Sequence, residues 1–504
     1  MERIAIIDLG SNTARLLIVD VMENGHFYIV DQLKEAPRLG EGMERDGFLK
    51  PARIHETINT LKMFRKLCDV SGIERIIAVA TAAVRHAKNQ RSFLDEVSAT
   101  CGIKLRVLSA EEEALYVYRG VINTMDIPKG IILEIGGGST KIVYYNRRNL
   151  LNFETLPFGA ITLTELFSQD GCSPQEQAQK IEEFFTEQLS KIEWLKNVDP
   201  EVQMIGVGGS FRNLCRMTKI MKKYPLKTIH NYIINENDFS HVYDLLKGLD
   251  LDKKKKIKGL SSGRADILPS ALAATNAFMK YMNLGNIVIS GSGLRTGLLF
   301  NYAMPTTQDK PISDVLMNSL TSLVDFYGCN AKHVEHVVSL SVQLFKQLRV
   351  LHKFPRQYLK ILKVASYLYE SGKKIDFYNF EKHSGYIILN SNINGISHRD
   401  LVMASFVVSS TGIEDINQYE WSRYRELLTD EDVDSVRKMG IILKIASCLD
   451  RSLSSVIKGI NCDILGDSVI MKTEVEGDAT LEINSALQIG ADFRKSFKKN
   501  LEIL

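Results

Sequence analysis

Two short runs of glycine and hydroxyl residues, each following an apolar segment that ends in a carboxylate, carry the clearest chemistry in this sequence. The first run is Asp8-Leu-Gly-Ser-Asn-Thr13 and the second is Glu134-Ile-Gly-Gly-Gly-Ser-Thr140. Small residues let backbone N–H groups approach phosphate oxygens, and hydroxyl side chains add donors. Neither run fits a Walker A or a GxGxxG dinucleotide pattern. We interpret them as two copies of an oligophosphate-binding turn, formed by Gly10, Ser11, Asn12 and Thr13 and by Gly136, Gly137, Gly138, Ser139 and Thr140.

Asp8 and Glu134 occupy matching positions at the ends of the strands that precede these turns. Carboxylates facing a cleft can hold Mg²⁺ directly or through its waters, with substrate phosphate completing the shell. The alternative is that each carboxylate accepts hydrogen bonds from turn amides. The matching pair favours the metal interpretation.

Three adjacent glutamates stand at the start of a predicted helix. Ser109 and Glu112 form an S-x-x-E capping box, and Glu111 suits the positive end of the helix. Glu113 has no such structural role and could take a proton from an attacking water, although the residues alone favour a solvent-exposed side chain. Arg85 follows a predicted strand, where its forked donors could bind phosphate; a surface salt bridge is the alternative.

The segments around these residues alternate between predicted strands and predicted helices. We predict strands at 3–7, 14–21, 75–80, 105–108, 131–133, 141–145, 203–207 and 286–290, and helices at 54–67, 82–100, from 111 and at 174–195. Such alternation predicts α/β sheets, and the repeated hairpin predicts two related domains whose turns face each other across a cleft.

The character of the sequence changes after about residue 311. Apolar residues then recur every three or four positions as far as 458, which predicts an all-helical domain. The stretch 459–504 predicts a small α+β domain, with strands at 468–475 and 479–484 and a basic helix at 491–500.

Composition limits the class of protein. With 45% hydrophobic and 24% charged residues, the 504-residue chain resembles soluble globular proteins, and a net charge of +3 gives no argument for nucleic acid. Seven cysteines include no CxxC pair, which favours reduced thiols. The N-terminus lacks the features of a signal peptide, and no apolar stretch approaches the roughly 18 residues of a membrane span. We therefore expect a cytoplasmic protein without nucleic-acid or membrane partners.

Taken together, these segments resemble the Ppx/GppA family of exopolyphosphatases and guanosine pentaphosphate phosphohydrolases. The two turns resemble the family's phosphate loops, and segments 80–89, 108–121, 206–212, 263–267 and 292–298 resemble further family blocks. The resemblance implies two actin-like ATPase (ribonuclease H-like) domains, 1–125 and 126–310, with an interdomain cleft. It also implies an all-helical, degenerate HD-like domain at 311–458 and a small α+β C-terminal domain at 459–504.

The resemblance also implies roles for individual residues. It selects Glu113 as the residue that activates water and Arg85 as a phosphate ligand, and it places Asp8 and Glu134 at Mg²⁺ or Mn²⁺, with a monovalent cation such as K⁺ as a further candidate. The family more commonly has aspartate at the position of Glu134. The glutamate keeps the charge but has a longer side chain.

The helical domain departs from true HD phosphohydrolases at the centre of their metal site. Tyr369-Glu370 stands in place of the central His-Asp, while His333 or His336 and Asp450 remain as candidate outer positions. We expect a scaffold there rather than a metal centre.

The expected activity is hydrolysis of the terminal phosphate of inorganic polyphosphate, by metal-assisted in-line attack of water that Glu113 activates. Hydrolysis of guanosine pentaphosphate (pppGpp), non-catalytic sensing of polyphosphate or alarmone, and a sugar or acetate kinase of the same superfold remain alternatives. Family analogy implies a homodimer.

Overall fold

The structure is a computed structural model that describes residues 1–168, 173–410 and 416–504. It divides into two compact units, residues 1–224 with 229–313, and residues 225–228 with 314–504. None of the helices in the described ranges has the length and hydropathy needed to cross a membrane. Six cysteines are free thiols, namely Cys68, Cys101, Cys215, Cys329, Cys448 and Cys462; Cys172 lies outside the described residues.

The first unit contains two mixed sheets and the helices that cover them. Its strands are β1 (Glu2–Leu9), β2 (Ala14–Val21), β3 (Phe27–Glu35), β4 (Arg75–Ala80), β5 (Arg106–Val107), β6 (Lys129–Ile135), β7 (Thr140–Asn146), β8 (Asn149–Leu156), β9 (Gln203–Val207), β10 (Tyr232–Asn235) and β11 (Asn286–Ile289). Its helices are α1 (Pro51–Val70), α2 (Ala82–His86), α3 (Gln90–Cys101), α4 (Ala110–Ile122), α5 (Ala160–Phe167), α6 (Pro174–Ser190), α7 (Gly209–Met221), α8 (Glu236–Lys247), α9 (Leu251–Lys254), α10 (Leu268–Met282) and α11 (Leu294–Ala303).

The second unit is mostly helical. Its elements are α12 (Val315–Tyr327), α13 (Ala331–Gln347), α14 (Arg349–His352), α15 (Tyr358–Tyr367), α16 (Phe380–Asn390), α17 (His398–Ser409), α18 (Gln418–Ser422), α19 (Asp430–Cys448), β12 (Ile457–Leu465), β13 (Ser468–Val475), α20 (Thr480–Leu487), α21 (Gly490–Phe497) and β14 (Asn500–Ile503). The three strands form a small sheet in the order β12-β13-β14.

The two sheets of the first unit repeat one topology. The first has the order β3-β2-β1-β4-β5 and the second β10-β11-β9-β6-β7-β8. In each, an antiparallel hairpin (β1–β2 or β6–β7) is extended by an antiparallel third strand on one side and a parallel strand on the other. This repetition confirms the predicted duplication of the hairpin.

Alternation along the central strands divides the buried side chains between two faces of each sheet. In β1, Ile4 and Ile6 pack with residues of the second sheet and of α4 and α11, whereas Ala5 and Ile7 pack towards α1 and α3. Successive strand residues point to opposite faces, so a strand buried on both sides reads as a continuous apolar run. That run is what made β1 and β6 predictable.

The helices predicted at 174–195 and 491–500 end earlier in the structure, at Ser190 and Phe497, and Asn500 begins β14. Two further predicted elements differ in kind or continuity. The helix predicted at 82–100 is broken into α2 and α3 where Ala87 adopts an extended backbone, φ −71° and ψ 128°. The strand predicted at 479–484 is wrong: this segment begins α20, and Asp478 accepts a hydrogen bond from the Thr480 amide at its start. Six residues are too few to distinguish the two-residue period of a strand from the 3.6-residue period of a helix.

Helices α4 and α11 lie so close together that side chains are excluded at two glycines. A Cβ built on Gly297 would lie 1.8 Å from the Tyr116 carbonyl oxygen, and one on Gly120 would lie 2.3 Å from the Gly293 carbonyl oxygen. Because both obstacles are main-chain atoms, a side chain could be accommodated only by separating the helices.

We predict that Gly297→Ala lowers the free energy of unfolding by about 3 kcal/mol, the upper part of the range for overpacking. Gly285→Ala is the matched control, since a Cβ at Gly285 would meet nothing within 4 Å. Urea unfolding of the full chain measures both. Equal stability of the two variants would contradict this account of the α4–α11 packing.

Candidate active site

The two glycine turns have the same backbone closure and touch each other. The Gly10 amide donates to the Thr13 carbonyl at 3.0 Å, and the Gly136 amide donates to the Ser139 carbonyl at 2.9 Å. A Cβ built on Gly137 would lie 3.0 Å from the Ser11 Cβ. The turns therefore face one another at van der Waals distance, as the duplicated sequence predicts.

Helix α5 sets the direction of the second turn's peptide groups. At the start of that helix, the Ala160 amide donates to the Gly136 carbonyl and the Ile161 amide donates to the Gly137 carbonyl, both at 2.8 Å. Because these peptides are trans, the N–H groups of Gly137 and Gly138 point away from α5. They are thus left to bind an anion on the other side of the turn.

Asn12, in the first turn, also offers unpaired polar groups to the cleft. Its side chain is 3% exposed, yet neither the amide nitrogen nor the amide oxygen has a hydrogen-bond partner in the described residues. Buried polar groups are normally hydrogen-bonded, so an unpaired amide at the cleft wall indicates a polar ligand.

Glu113 lies at the cleft, held by the first turn of α4. The predicted capping box is confirmed: Ser109 Oγ accepts from the Glu112 amide at 3.0 Å, and the Glu112 carboxylate accepts from the Ser109 amide at 2.9 Å. The expectation of a solvent-exposed Glu113 is wrong, because this side chain is only 4% exposed. Its Oε2 accepts from Arg85 Nη1 at 3.0 Å, and its Oε1 pairs with the ammonium group of Lys141.

In the part of the chain that the structure describes, five cations line the same cleft, which encloses about 790 Å³ including its opening. They are Arg15, Lys141, Arg212, Arg264 and Arg295. The arginines crowd one another: burial and the charge of Arg15 lower the pKa of Arg264 and of Arg295 to about 10. Both therefore remain charged at neutral pH and are only partly compensated by neighbouring carboxylates.

These five cations were missed as site residues, although the sequence contains a signal for two of them. In the hairpin registers Asp8 pairs with Arg15, and Glu134 pairs with Lys141. Each cation follows its carboxylate by seven residues. The duplication therefore extends beyond the turns to an acid–base pair across each hairpin, a favourable cross-strand arrangement.

The structure places the predicted site residues unequally. Most of them line the cleft, namely Asp8, Gly10, Ser11, Asn12, Thr13, Glu113, Glu134, Gly136, Gly137, Gly138 and Ser139. Thr140 is turned away, and its hydroxyl donates to the Phe158 carbonyl at 2.8 Å. Arg85 lies behind Glu113 and also donates to the Leu108 carbonyl at 2.9 Å. Phosphate binding by Arg85 stays a prediction.

The carboxylates of the cleft each have a cationic neighbour. Lys141 Nζ lies 3.5 Å from Glu134 Oε2, so that the half-buried Glu134 joins the buried pair of Lys141 and Glu113. Burial alone lowers the pKa of a lysine, but Glu113 and Glu134 raise the pKa of Lys141 above its ordinary value. Burial raises the pKa of Asp8, and Arg15 and Arg295 offset this in part. Lys141 is therefore charged and fixed among the carboxylates.

This arrangement does not fit a divalent ion held by the protein's carboxylates alone. Within the described ranges, no group of three or more His, Cys, Asp or Glu residues is arranged as a metal site. Mg²⁺ and similar ions need free oxygen ligands at short distance. A role for Asp8 and Glu134 at an ion shared with substrate phosphates stays a prediction.

Comparison with known families agrees with this geometry. The sequence profile of the Ppx/GppA phosphatase family matches residues 18–305, and the profile of Ppx/GppA phosphatase domain III matches residues 315–487. The chain belongs to the Ppx/GppA phosphatase family. The first profile covers both α/β domains except residues 1–17, which contain β1, the first glycine turn and the start of β2. The second profile covers most of the second unit.

Other Ppx/GppA proteins resemble this chain over most of their length. A protein of Pseudoalteromonas translucida, named guanosine-5'-triphosphate,3'-diphosphate pyrophosphatase, is 26% identical over 413 residues, covering 79% of this chain and 78% of its own. A protein of the same name from Aliivibrio fischeri strain MJ11 is 25% identical, covering 78% and 77%.

Solved structures of the family match the α/β part. The crystal structure of an exopolyphosphatase from Cytophaga hutchinsonii has a TM-score of 0.56 and 26% identity, covering 60% of this chain and 98% of its own. The Aquifex aeolicus family member has a TM-score of 0.51 and 27% identity, covering 62% and 99%. The fold is therefore that of the actin-like Ppx/GppA proteins, followed by a helical domain.

In that helical Ppx/GppA domain, the residues at the degenerate HD positions form an ion-pair cluster. His333 Nδ1 lies 2.7 Å from Asp450 Oδ2, and His333 Nε2 lies 3.4 Å from Glu370 Oε1. His336 Nδ1 lies 3.1 Å from Asp450 Oδ1. Burial alone lowers the pKa of His333, but Asp450 and Glu370 raise it to about 9. The cluster ties α13 to the segment after α19 and to the end of α15.

This cluster predicts a pH-dependent stability. A histidine whose pKa is raised on folding contributes stability that is complete below its ordinary pKa of about 6.5 and is lost as pH rises through about 9. We expect wild type to lose up to about 3 kcal/mol of unfolding free energy between these limits through His333. His333→Gln is less stable at pH 6.5 and shows a flatter pH dependence.

Urea unfolding of the full chain at pH 6.5 and 9.5 measures the difference. His55→Gln, at an exposed position of α1, is the control and keeps the wild-type slope. A His333→Gln variant with the wild-type slope would contradict the ion-pair assignment.

Proposed function

We propose that this Ppx/GppA protein is an exopolyphosphatase, which hydrolyses the terminal phosphoanhydride bond of linear inorganic polyphosphate. The observation that supports this most is the charge of the cleft: five cations line it with three carboxylates, Asp8, Glu113 and Glu134. Lys141 and Arg264 are buried and the other three cations are half-buried, and such cations in excess of their counter-ions are costly. A ligand with several adjacent negative charges relieves that cost, and polyphosphate carries one on every phosphate unit.

The proposed reaction is hydrolytic. The terminal phosphate lies between the two turns, where the Gly137 and Gly138 amides and the Asn12 side chain donate to its oxygens. Arginine side chains offset charge on the transferred group and on the bridging oxygen that leaves. Water attacks phosphorus, the bond to the bridging oxygen breaks, and orthophosphate and a shortened chain leave.

Glu113 is the proposed general base in this reaction. Its two oxygens are held by Arg85 and Lys141, so the carboxylate has a fixed orientation, while each oxygen keeps a further acceptor site for water. It orients the attacking water and takes its proton, a role worth about 10²–10⁴-fold in rate for typical general bases.

A second candidate substrate is pppGpp, favoured by the names of the curated relatives from Pseudoalteromonas and Aliivibrio. Its terminal phosphate could enter the same turns. Against it, the side chains that line the cleft in the described residues include no Phe, Tyr or Trp on which a guanine base would stack. This difference favours polyphosphate.

Phosphate release from long-chain polyphosphate and from pppGpp, measured with the same preparation, tests the choice. We expect kcat/KM to be at least about tenfold higher for polyphosphate, which corresponds to about 1.4 kcal/mol of transition-state stabilisation. Release from pppGpp alone would overturn the proposal, and binding of both without release would replace it with a sensor.

The assignment of Glu113 predicts a contrast with its neighbour. Glu113→Gln loses about 10²-fold or more in kcat with polyphosphate binding retained, because the cleft keeps its cations and loses its base. Glu112→Gln retains activity, because glutamine also serves in a capping box. Turnover and binding of both variants are measured with polyphosphate. An inactive Glu112→Gln beside an active Glu113→Gln would refute the assignment.

A further inference from the structure

Among the described residues that line the cleft, Lys141 is the one lysine, and its position is unusual for a cation. Its side chain is 3% exposed. Its ammonium group hydrogen-bonds Glu113 Oε1 and lies 3.5 Å from Glu134 Oε2. It thus stands between the proposed general base and a carboxylate that the sequence predicts as a metal ligand.

An ammonium group and a divalent ion compete for this position. Mg²⁺ and Mn²⁺ ligands are oxygen atoms at little more than 2 Å, and a protonated lysine has no lone pair to offer. An ion bound to Glu134 on the side of Glu113 would have to displace the Lys141 ammonium or lie beside it, with two like charges in contact. The Lys141 ammonium already neutralises the carboxylate oxygens of Glu113 and Glu134 that face it.

The first hairpin carries a cation at the equivalent position. Arg15 stands opposite Asp8 in the first hairpin as Lys141 stands opposite Glu134 in the second. Both cations line the cleft. Each hairpin therefore presents one glycine turn and one cation to the same cavity.

We propose that Lys141 takes the place of a divalent ion between Glu113 and Glu134, so that the free cleft binds neither Mg²⁺ nor Mn²⁺. In the proposed hydrolysis its ammonium faces the terminal phosphate and holds Glu113 in position for the attacking water. A divalent ion then reaches the cleft only together with the phosphates that chelate it. The part of this inference that concerns polyphosphate rests on the proposed function, whereas the exclusion of the free ion does not.

Binding of Mn²⁺ to the full chain, followed by electron paramagnetic resonance without phosphate or polyphosphate, tests the exclusion. We expect no Mn²⁺ bound in the cleft of wild type. Lys141→Glu removes the ammonium and adds a carboxylate beside Glu113 and Glu134. We expect it to bind about one Mn²⁺ per chain, at least about tenfold more tightly than wild type, and to lose it when Glu134→Gln is added.

Two further variants keep this test decisive. Lys254→Glu is the control for reversing the charge of a buried lysine, since Lys254 is 8% exposed on α9 and does not line the cleft; it gains no Mn²⁺. Lys141→Gln leaves the two carboxylates without their ammonium and without an added charge, so it serves if Lys141→Glu does not fold. Its melting temperature rises with Mn²⁺, whereas that of wild type does not.

The outcomes separate this inference from the proposed function. A wild-type protein that binds Mn²⁺ through Glu134, or Lys141 variants that gain none, overturns the role of Lys141 even where polyphosphate is hydrolysed. The expected Mn²⁺ pattern in a protein that releases no phosphate leaves the exclusion intact and removes the exopolyphosphatase assignment.

Discussion

Direct contact between two glycine turns is the constraint on which the first unit depends. Ser11 lies against Gly137 and Gly138 so closely that a side chain on either glycine would meet it, at 3.0 and 2.9 Å respectively. The contact brings together the hairpin ends of two sheets, and each hairpin occupies the equivalent place in its sheet's strand order. Helices α4 and α11 then fill the space between the sheets, and α4 brings Glu113 to the turns.

Electrostatics decides what such a cleft can hold. Glu113 is buried, and a buried carboxylate needs partners, which Arg85 and Lys141 supply. The remaining arginines are less well compensated, and their pKa values are lowered by burial and by one another. A polyanion therefore gains affinity from charge that the free protein holds at a cost in stability.

Features set by local sequence could be predicted, and those set by distant packing could not. The turns, their flanking strands and the Ser109–Glu112 capping box depend on residues within a few positions of one another. The burial of Glu113 depends on Arg85 and Lys141, each 28 positions away along the chain, and local helix chemistry favoured exposure instead. Arg212, Arg264 and Arg295 come from three separate elements, so only the fold shows that they share a cavity. Arg15 and Lys141 could have been predicted from the sequence, because each follows its carboxylate, Asp8 or Glu134, at the same spacing in the repeated hairpin.

In both units, side-chain cations lie against clustered carboxylates. In the helical unit, Glu370 and Asp450 stand where HD-type ligands are expected, and His333 and His336 neutralise them through ion pairs. In the cleft, the proposed role of Lys141 is the same for Glu113 and Glu134. Carboxylates gathered at one point repel each other and must have a cation, which either an ion or a side chain can provide. A side-chain cation is covalently fixed, so it cannot be exchanged or chelated away, and it stays beside the carboxylates whether or not a phosphate is bound.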